Sequence, residues 1–133
     1  MKLLKRIFGI CDTPQPADPQ AWSVKNGSVR IVLSRLPELK QPGSGVRLEG
    51  KGLDPRLLVF HGDDGKYHAI ANRCSHMGRR IDVLAGSNTI ACCSVSRSTF
   101  TYDGQPVGGA AKQPVRTYPV GLDDESLTIV LTT

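Results

Sequence analysis

The chain has 133 residues, enough for one domain, and 39% are hydrophobic, which excludes the composition of a disordered chain. With 14 glycines, 9 prolines and 5% aromatic residues it favours a turn-rich β fold over a helix bundle. No apolar run nears the roughly 20 residues that span a bilayer, and the formal charge of +5 is scattered, without the interleaved aromatics of single-strand nucleic-acid binders. Neither a membrane span nor a nucleic-acid partner is therefore expected.

Residues 1–22 read as an N-terminal arm. Leu3, Leu4, Ile7 and Phe8 fall at helical spacing opposite Lys2, Lys5 and Arg6. Thr13-Pro14-Gln15-Pro16 ends any helix there. Such an arm can dock a partner or an anionic surface. A clasp packed on the following domain is the favoured reading, because isolated helices this short are marginal. The apolar stretch from Ile7 to Cys11 is too short for a secretory leader, so a reducing cytoplasm is expected. Cysteines there serve as ligands, reactive thiols or core residues more often than as disulfides. Cys11 reads as a core or surface thiol, and Trp22 as packing between arm and domain.

Residues 23–133 read as one domain of roughly eight short strands, an all-β antiparallel barrel or sandwich. Val29–Leu33 is a strand, broken by Pro37 and Pro42-Gly43, and Val46–Glu49 alternates cleanly. Leu57–Phe60 is a buried run, joined through Asp63-Asp64-Gly65 to Lys66–Ile70 as a hairpin. Thr89–Ala91, Ser98–Tyr102, Val115–Val120 and Leu127–Leu131 follow, with a turn at Asp103-Gly104. Two loops stand outside this regular spacing, Arg73–Asp82 and Cys93–Arg97, and both carry cysteine. Loops of that kind on a rigid β scaffold are where sites form.

Cys74-Ser75-His76 places a thiol and an imidazole two apart on a tight loop, and Cys93 follows in the second. Thiolate with imidazole selects iron–sulfur centres, zinc or copper over magnesium or calcium. His61 and His68, on the predicted hairpin, read as surface or strand histidines.

From about Ile31 onward the sequence resembles a Rieske domain. Cys74-Ser75-His76-Met77-Gly78 matches the first motif, and Cys93-Ser94-Val95-Ser96-Arg97, with Phe100 in the aromatic position, lies over the second. Gly109-Ala110-Ala111 stands where a Gly-Pro-Ala is usual, and Val46 to Cys74 matches the run into the first loop. The resemblance implies a β base domain with a small cluster-type subdomain at about 72–113. It also implies a [2Fe–2S] group held by Cys74 and Cys93 on one iron and His76 on the other, and electron transfer to a reductase or oxygenase partner. In the family, histidine ligation raises the potential to roughly −150 to +300 mV, against about −400 mV for plant-type all-cysteine clusters.

The resemblance departs at the fourth ligand, where Ser96 replaces the second histidine. The cysteine pair that braces the loops of some members is also absent, with Arg79 and Val95 in those positions. Ser96, a water or Cys92 could complete the second iron. On an extended segment Cys92 points away from Cys93 and reads as a small buried hydrophobe. A mononuclear zinc bound by Cys74, His76 and Cys93 stays open, as does a cluster-free binding or scaffold module. In the latter, Ser94, Ser96 and Ser98 with Arg79, Arg80 and Arg97 either hold an anion or are ordinary turn and surface residues. An electron-transfer component or binding module is expected rather than a stand-alone enzyme.

Overall fold

The computed structural model describes residues 11–75, 78–93 and 97–131. The described residues form twelve strands in three four-stranded antiparallel sheets, with short 3-10 turns at Pro19–Ala21, Leu33–Arg35 and Pro37–Leu39 and no α-helix. The all-β expectation holds.

The first sheet runs β1 (Trp22–Lys25), β2 (Ser28–Val32), β12 (Ser126–Val130), β11 (Val120–Asp123). The second runs β10 (Thr117–Tyr118), β5 (Tyr67–Ala71), β4 (Leu57–His61), β3 (Ser44–Leu48). The third is built from β6 (Ile81–Leu84), β7 (Thr89–Cys92), β8 (Thr99–Thr101) and β9 (Pro106–Gly108) in sequence order.

The apolar run of β4 explains how the sheets are joined. Successive side chains leave a strand on opposite faces, and Leu57, Leu58, Val59 and Phe60 are all fully buried. Leu57 and Val59 enter a core with Val29, Ile31, Val46, Leu48, Leu127 and Ile129, where the first sheet covers the second. Leu58 and Phe60 enter another core with Ile70, Ile81, Ile90 and Phe100, where the third sheet covers the opposite face.

Two segments differ from the sequence reading. Val115–Val120 is not one strand. Pro119 lacks an N–H and divides it, leaving Thr117–Tyr118 on β5 and Val120–Asp123 on β12. Ile81 and Asp82, read as the end of a loop, open β6, which pairs with β7 from Ile81↔Cys92 to Leu84↔Thr89.

Residues 12–14 of the arm bind β3 and β6. Asp82 accepts hydrogen bonds from the N–H groups of Asp12 and Thr13 at 2.7 and 2.9 Å, and from the Thr13 hydroxyl. The N–H of Arg47 donates to the Pro14 carbonyl at 2.9 Å. Trp22 is buried in the first core beneath the Lys51 ammonium, which lies 4.3 Å from its ring centre. The amphipathic stretch Leu3–Phe8 lies outside the described residues.

Because β4 feeds both cores, Phe60→Ala should lower stability by about 3–5 kcal/mol and still give one transition. Urea unfolding followed by Trp22 fluorescence, which reports the first core, should coincide with far-UV circular dichroism. Separate midpoints would show that the cores unfold independently.

Candidate metal centre

The first cysteine loop leaves β5 and returns as β6, and the second leaves β7 and returns as β8. They meet on two consecutive carbonyls. The N–H of Cys74 donates to Arg79 O at 2.7 Å, and that of Cys93 donates to Arg80 O at 2.9 Å. Successive carbonyls of extended chain point in opposite directions, so residues 79–80 sit between the loops and hold both.

The first loop closes on itself through Gly78 N–H to Cys74 O at 2.8 Å. Gly78 has φ +70°, and a Cβ there would lie 3.3 Å from Arg73 Nε, which explains the glycine. Asn72, fully buried, accepts at Oδ1 from Ile81 N–H at 2.7 Å. Arg56 spans the loop, donating from Nε to Asn72 O at 2.8 Å and from a terminal nitrogen to Gly78 O at 2.9 Å. The Ser75 hydroxyl donates to Gln113 O at 2.6 Å. At the second loop the Cys92 N–H donates to Ser98 O, and buried Ser98 accepts at Oγ from Ala111 N–H at 3.0 Å. Gly109 lets this strap approach, since a Cβ there would lie 2.5 Å from Ser98 Cα.

The predicted ligands do not all come together. Cys74 and Cys92 are both buried, at 2% and 3% exposure, in the core that holds Ile81, Ile90, Phe100 and Ala111. Cys93 is bonded through its sulfur to Cys11, with a Cα–Cα distance of 5.4 Å. The reading of Cys11 as a core or surface thiol is therefore corrected: the arm carries it to the second loop, where it is disulfide-bonded. His76 and Ser96 lie outside the described residues, as do Ser94 and Val95. Tested against a [2Fe–2S] group, Cys74 offers one thiol at the first loop, whereas the Cys93 sulfur becomes available only with its bond to Cys11 reduced.

Among the described residues the one grouping of three metal-ligating side chains is Cys11, Asp82 and Cys93. Its two sulfurs are joined to each other, and Asp82 is engaged by the arm. His61 and His68 are far from this chemistry in role. His61 Nδ1 lies 2.9 Å from Leu39 O, and His68 pairs with Asp64 at 2.9 Å and stacks on Phe60.

The anion reading loses Arg80. Its guanidinium forks the Glu49 carboxylate at 2.6 and 2.9 Å. That fork, ahead of the weaker bond from Arg47, holds the Glu49 carboxyl below the usual carboxylate range. Ser98 is likewise occupied inside the fold. Sequence reasoning missed Arg56, Asn72 and Glu49 as loop supports. Asn72 stands within the run that resembles the family, but nothing local marks Arg56 or Glu49, whose partners are distant in sequence.

Two expectations follow from these contacts. Glu49 has a depressed folded value, so its contribution is present above its ordinary value of 4.5 and lost as pH falls through the folded one. Glu49→Gln should therefore cost about 1 kcal/mol near neutrality, and thermal melts should show the gap to wild type closing in acid. Cys11→Ser should cost the oxidised protein about 2–5 kcal/mol. Melts in a phosphine reductant should erase that difference.

Comparison with known proteins agrees with this architecture. The Rieske [2Fe-2S] domain family matches residues 30–119. The 3-phenylpropionate/cinnamic acid dioxygenase ferredoxin subunit of Photorhabdus laumondii is 30% identical over 79 residues, covering 58% of this chain and 74% of that one. The ferredoxin of carbazole 1,9a-dioxygenase from Nocardioides aromaticivorans superposes with a TM-score of 0.64 at 25% identity, over 80% of this chain and 100% of that one. The Sphingomonas yanoikuyae B1 ferredoxin shares the fold, with a TM-score of 0.58 at 24% identity over 68% of this chain and 87% of its own. With the family match covering both cysteine loops and the sheets that carry them, the chain belongs to the Rieske [2Fe-2S] domain family.

Proposed function

We propose that this chain is an electron carrier of the Rieske ferredoxin type, passing single electrons from a reductase to an oxygenase. The observation that carries this reading is the joining of two cysteine loops on the carbonyls of Arg79 and Arg80, with thiols buried beneath them. The likeness to a dioxygenase ferredoxin subunit supports the choice of partners.

Cys74 and, with its bond to Cys11 reduced, Cys93 would supply the two thiolates; His76, with Ser96, a water or Cys92 as the fourth ligand, would serve the second iron. When bound, the [2Fe–2S] group accepts and releases one electron, and histidine ligation places its potential well above that of all-cysteine clusters. The chain's own work is to hold the loops. Arg56 bridges the first loop, Asn72 ties it to β6, and Ser98 with Gly109 backs the second. The apolar core around Cys74 keeps water from the thiolate side, and such a shell bears on potential. No catalytic residue is assigned, since the oxygenase would hold the substrate. The cytoplasm is the proposed compartment; among the described residues no helix is long and apolar enough to cross a membrane.

The test is an anaerobic preparation assayed for iron, sulfide and zinc, followed by EPR of the dithionite-reduced protein. About two irons and two sulfides per chain with a reducible signal are expected. A folded, colourless protein without iron, or with stoichiometric zinc, would overturn the reading.

A further inference from the structure

Cys93 opens the second cysteine loop immediately after β7, at the position that matches the cysteine of the second motif. Its sulfur is bonded to Cys11 of the arm, 82 residues away in sequence, with the Cα atoms 5.4 Å apart, an ordinary span for such a bond. Iron takes a deprotonated thiol as its ligand, and a sulfur already joined to sulfur is not one. The arm and the metal therefore compete for the same atom.

Contacts that do not involve sulfur hold both partners of this bond in place. On the arm, the N–H groups of Asp12 and Thr13 donate to Asp82, the Thr13 carbonyl accepts from Arg47 Nε at 3.1 Å, and the Pro14 carbonyl accepts from Arg47 N–H. On the loop, the N–H of Cys93 donates to Arg80 O and that of Cys92 to Ser98 O. Opening the disulfide thus leaves two thiols side by side, at the high effective concentration of an intramolecular pair, and the bond can form again. The two sulfurs differ in access. Cys93 is 4% exposed, whereas Cys11 is only half-buried. Attack from solvent falls on Cys11, and Cys93 is the sulfur that leaves.

Resting on the electron-transfer reading above, we propose that the Cys11–Cys93 bond is a reversible thiol switch that decides whether the chain takes up its iron–sulfur group. With the bond formed, the arm holds the Cys93 sulfur and iron is refused. A dithiol reductant opens the site. One of its thiolates attacks Cys11 Sγ, the S–S bond breaks, and Cys93 leaves as a thiolate. The second thiol of the reductant then displaces Cys11. The reductant departs as a disulfide, having given two electrons, and both of its thiol hydrogens end on Cys11 and Cys93. Cys93 then releases its proton to solvent as its sulfur bonds iron. Disulfides of a reducing compartment are characteristically transient or redox-sensing, which agrees with the compartment proposed for this chain.

The test takes the metal-free full chain in two forms, oxidised with a disulfide-forming reagent or reduced with a dithiol, each then freed of reagent under anaerobic conditions. Peptide mapping of the oxidised form should recover Cys11 joined to Cys93. Both forms receive a chloride-ligated synthetic [2Fe–2S] cluster, which brings no thiol. Iron and sulfide per chain should be lower in the oxidised form by about tenfold or more, and should recover after dithiol treatment. Cys11→Ser, carried through the same steps, should load equally in both preparations, and a cooperative melt of each sample shows that folding is not what differs. Full loading of the oxidised parent with its bond still mapped overturns the switch. So does a Cys11→Ser variant that loads only after reduction, or an oxidised parent in which Cys11 is not joined to Cys93. Iron absent from the reduced parent and from Cys11→Ser alike is a different failure, that of the electron-transfer reading itself, and the switch falls with it.

Discussion

β4 is apolar from Leu57 through Phe60, and the period of two in a strand sends that run into two cores at once. Leu57 and Val59 hold the first sheet; Leu58 and Phe60 hold the third. The cysteine loops sit on the third sheet, so the site is carried on a platform fixed from beneath by the strand that also organises the base of the domain. A one-residue slip of β4 against β3 or β5 would exchange the two sets of side chains. Both faces being buried, neither core tolerates the exchange, and the loops inherit a single orientation.

The parts legible in the sequence are those with a local signal. The Leu57–Phe60 run, the glycine turn after it and the alternation in Val46–Glu49 each announce themselves over a few residues. β6 does not: Ile81–Leu84 buries only Ile81 fully and spends Asp82 on the arm, so no periodicity survives in four residues. The break at Pro119 is visible afterwards in the missing N–H, yet the flanking Val115–Val120 composition reads as one strand. The site shows the same division. Cys74 and its loop are found by spacing, because the spacing is local. The bond between Cys11 and Cys93 is not, because the two stand 82 residues apart. Arg56 is out of reach for the same reason, since it acts across 16 and 22 residues on two main-chain carbonyls.

The charges around the loops have settled partners. Arg80, read from sequence as either an anion ligand or a surface residue, is turned to Glu49, and Arg47 shares that carboxylate at 3.2 Å. Arg56 lies among Arg47, Arg73 and Arg80, and burial followed by their repulsion lowers its hold on a proton without approaching neutrality. Glu49 is the counter-ion that makes this gathering of guanidinium groups tolerable.

Arg56 has one more consequence. Its planar guanidinium spans the first loop from Asn72, which also supports β6, to the glycine that closes the turn, using hydrogen bonds of 2.8 and 2.9 Å to main-chain oxygens. Held at Asn72 and Gly78, the described ends of the loop are fixed when the chain folds, with the conformational entropy of that backbone already spent before any metal arrives. Capture of an inorganic centre then resembles the filling of a preorganised mould, and its release leaves the mould standing. Under the proposed function, the scaffold would then stand before the centre arrives and after it leaves, and the two lifetimes would be separate.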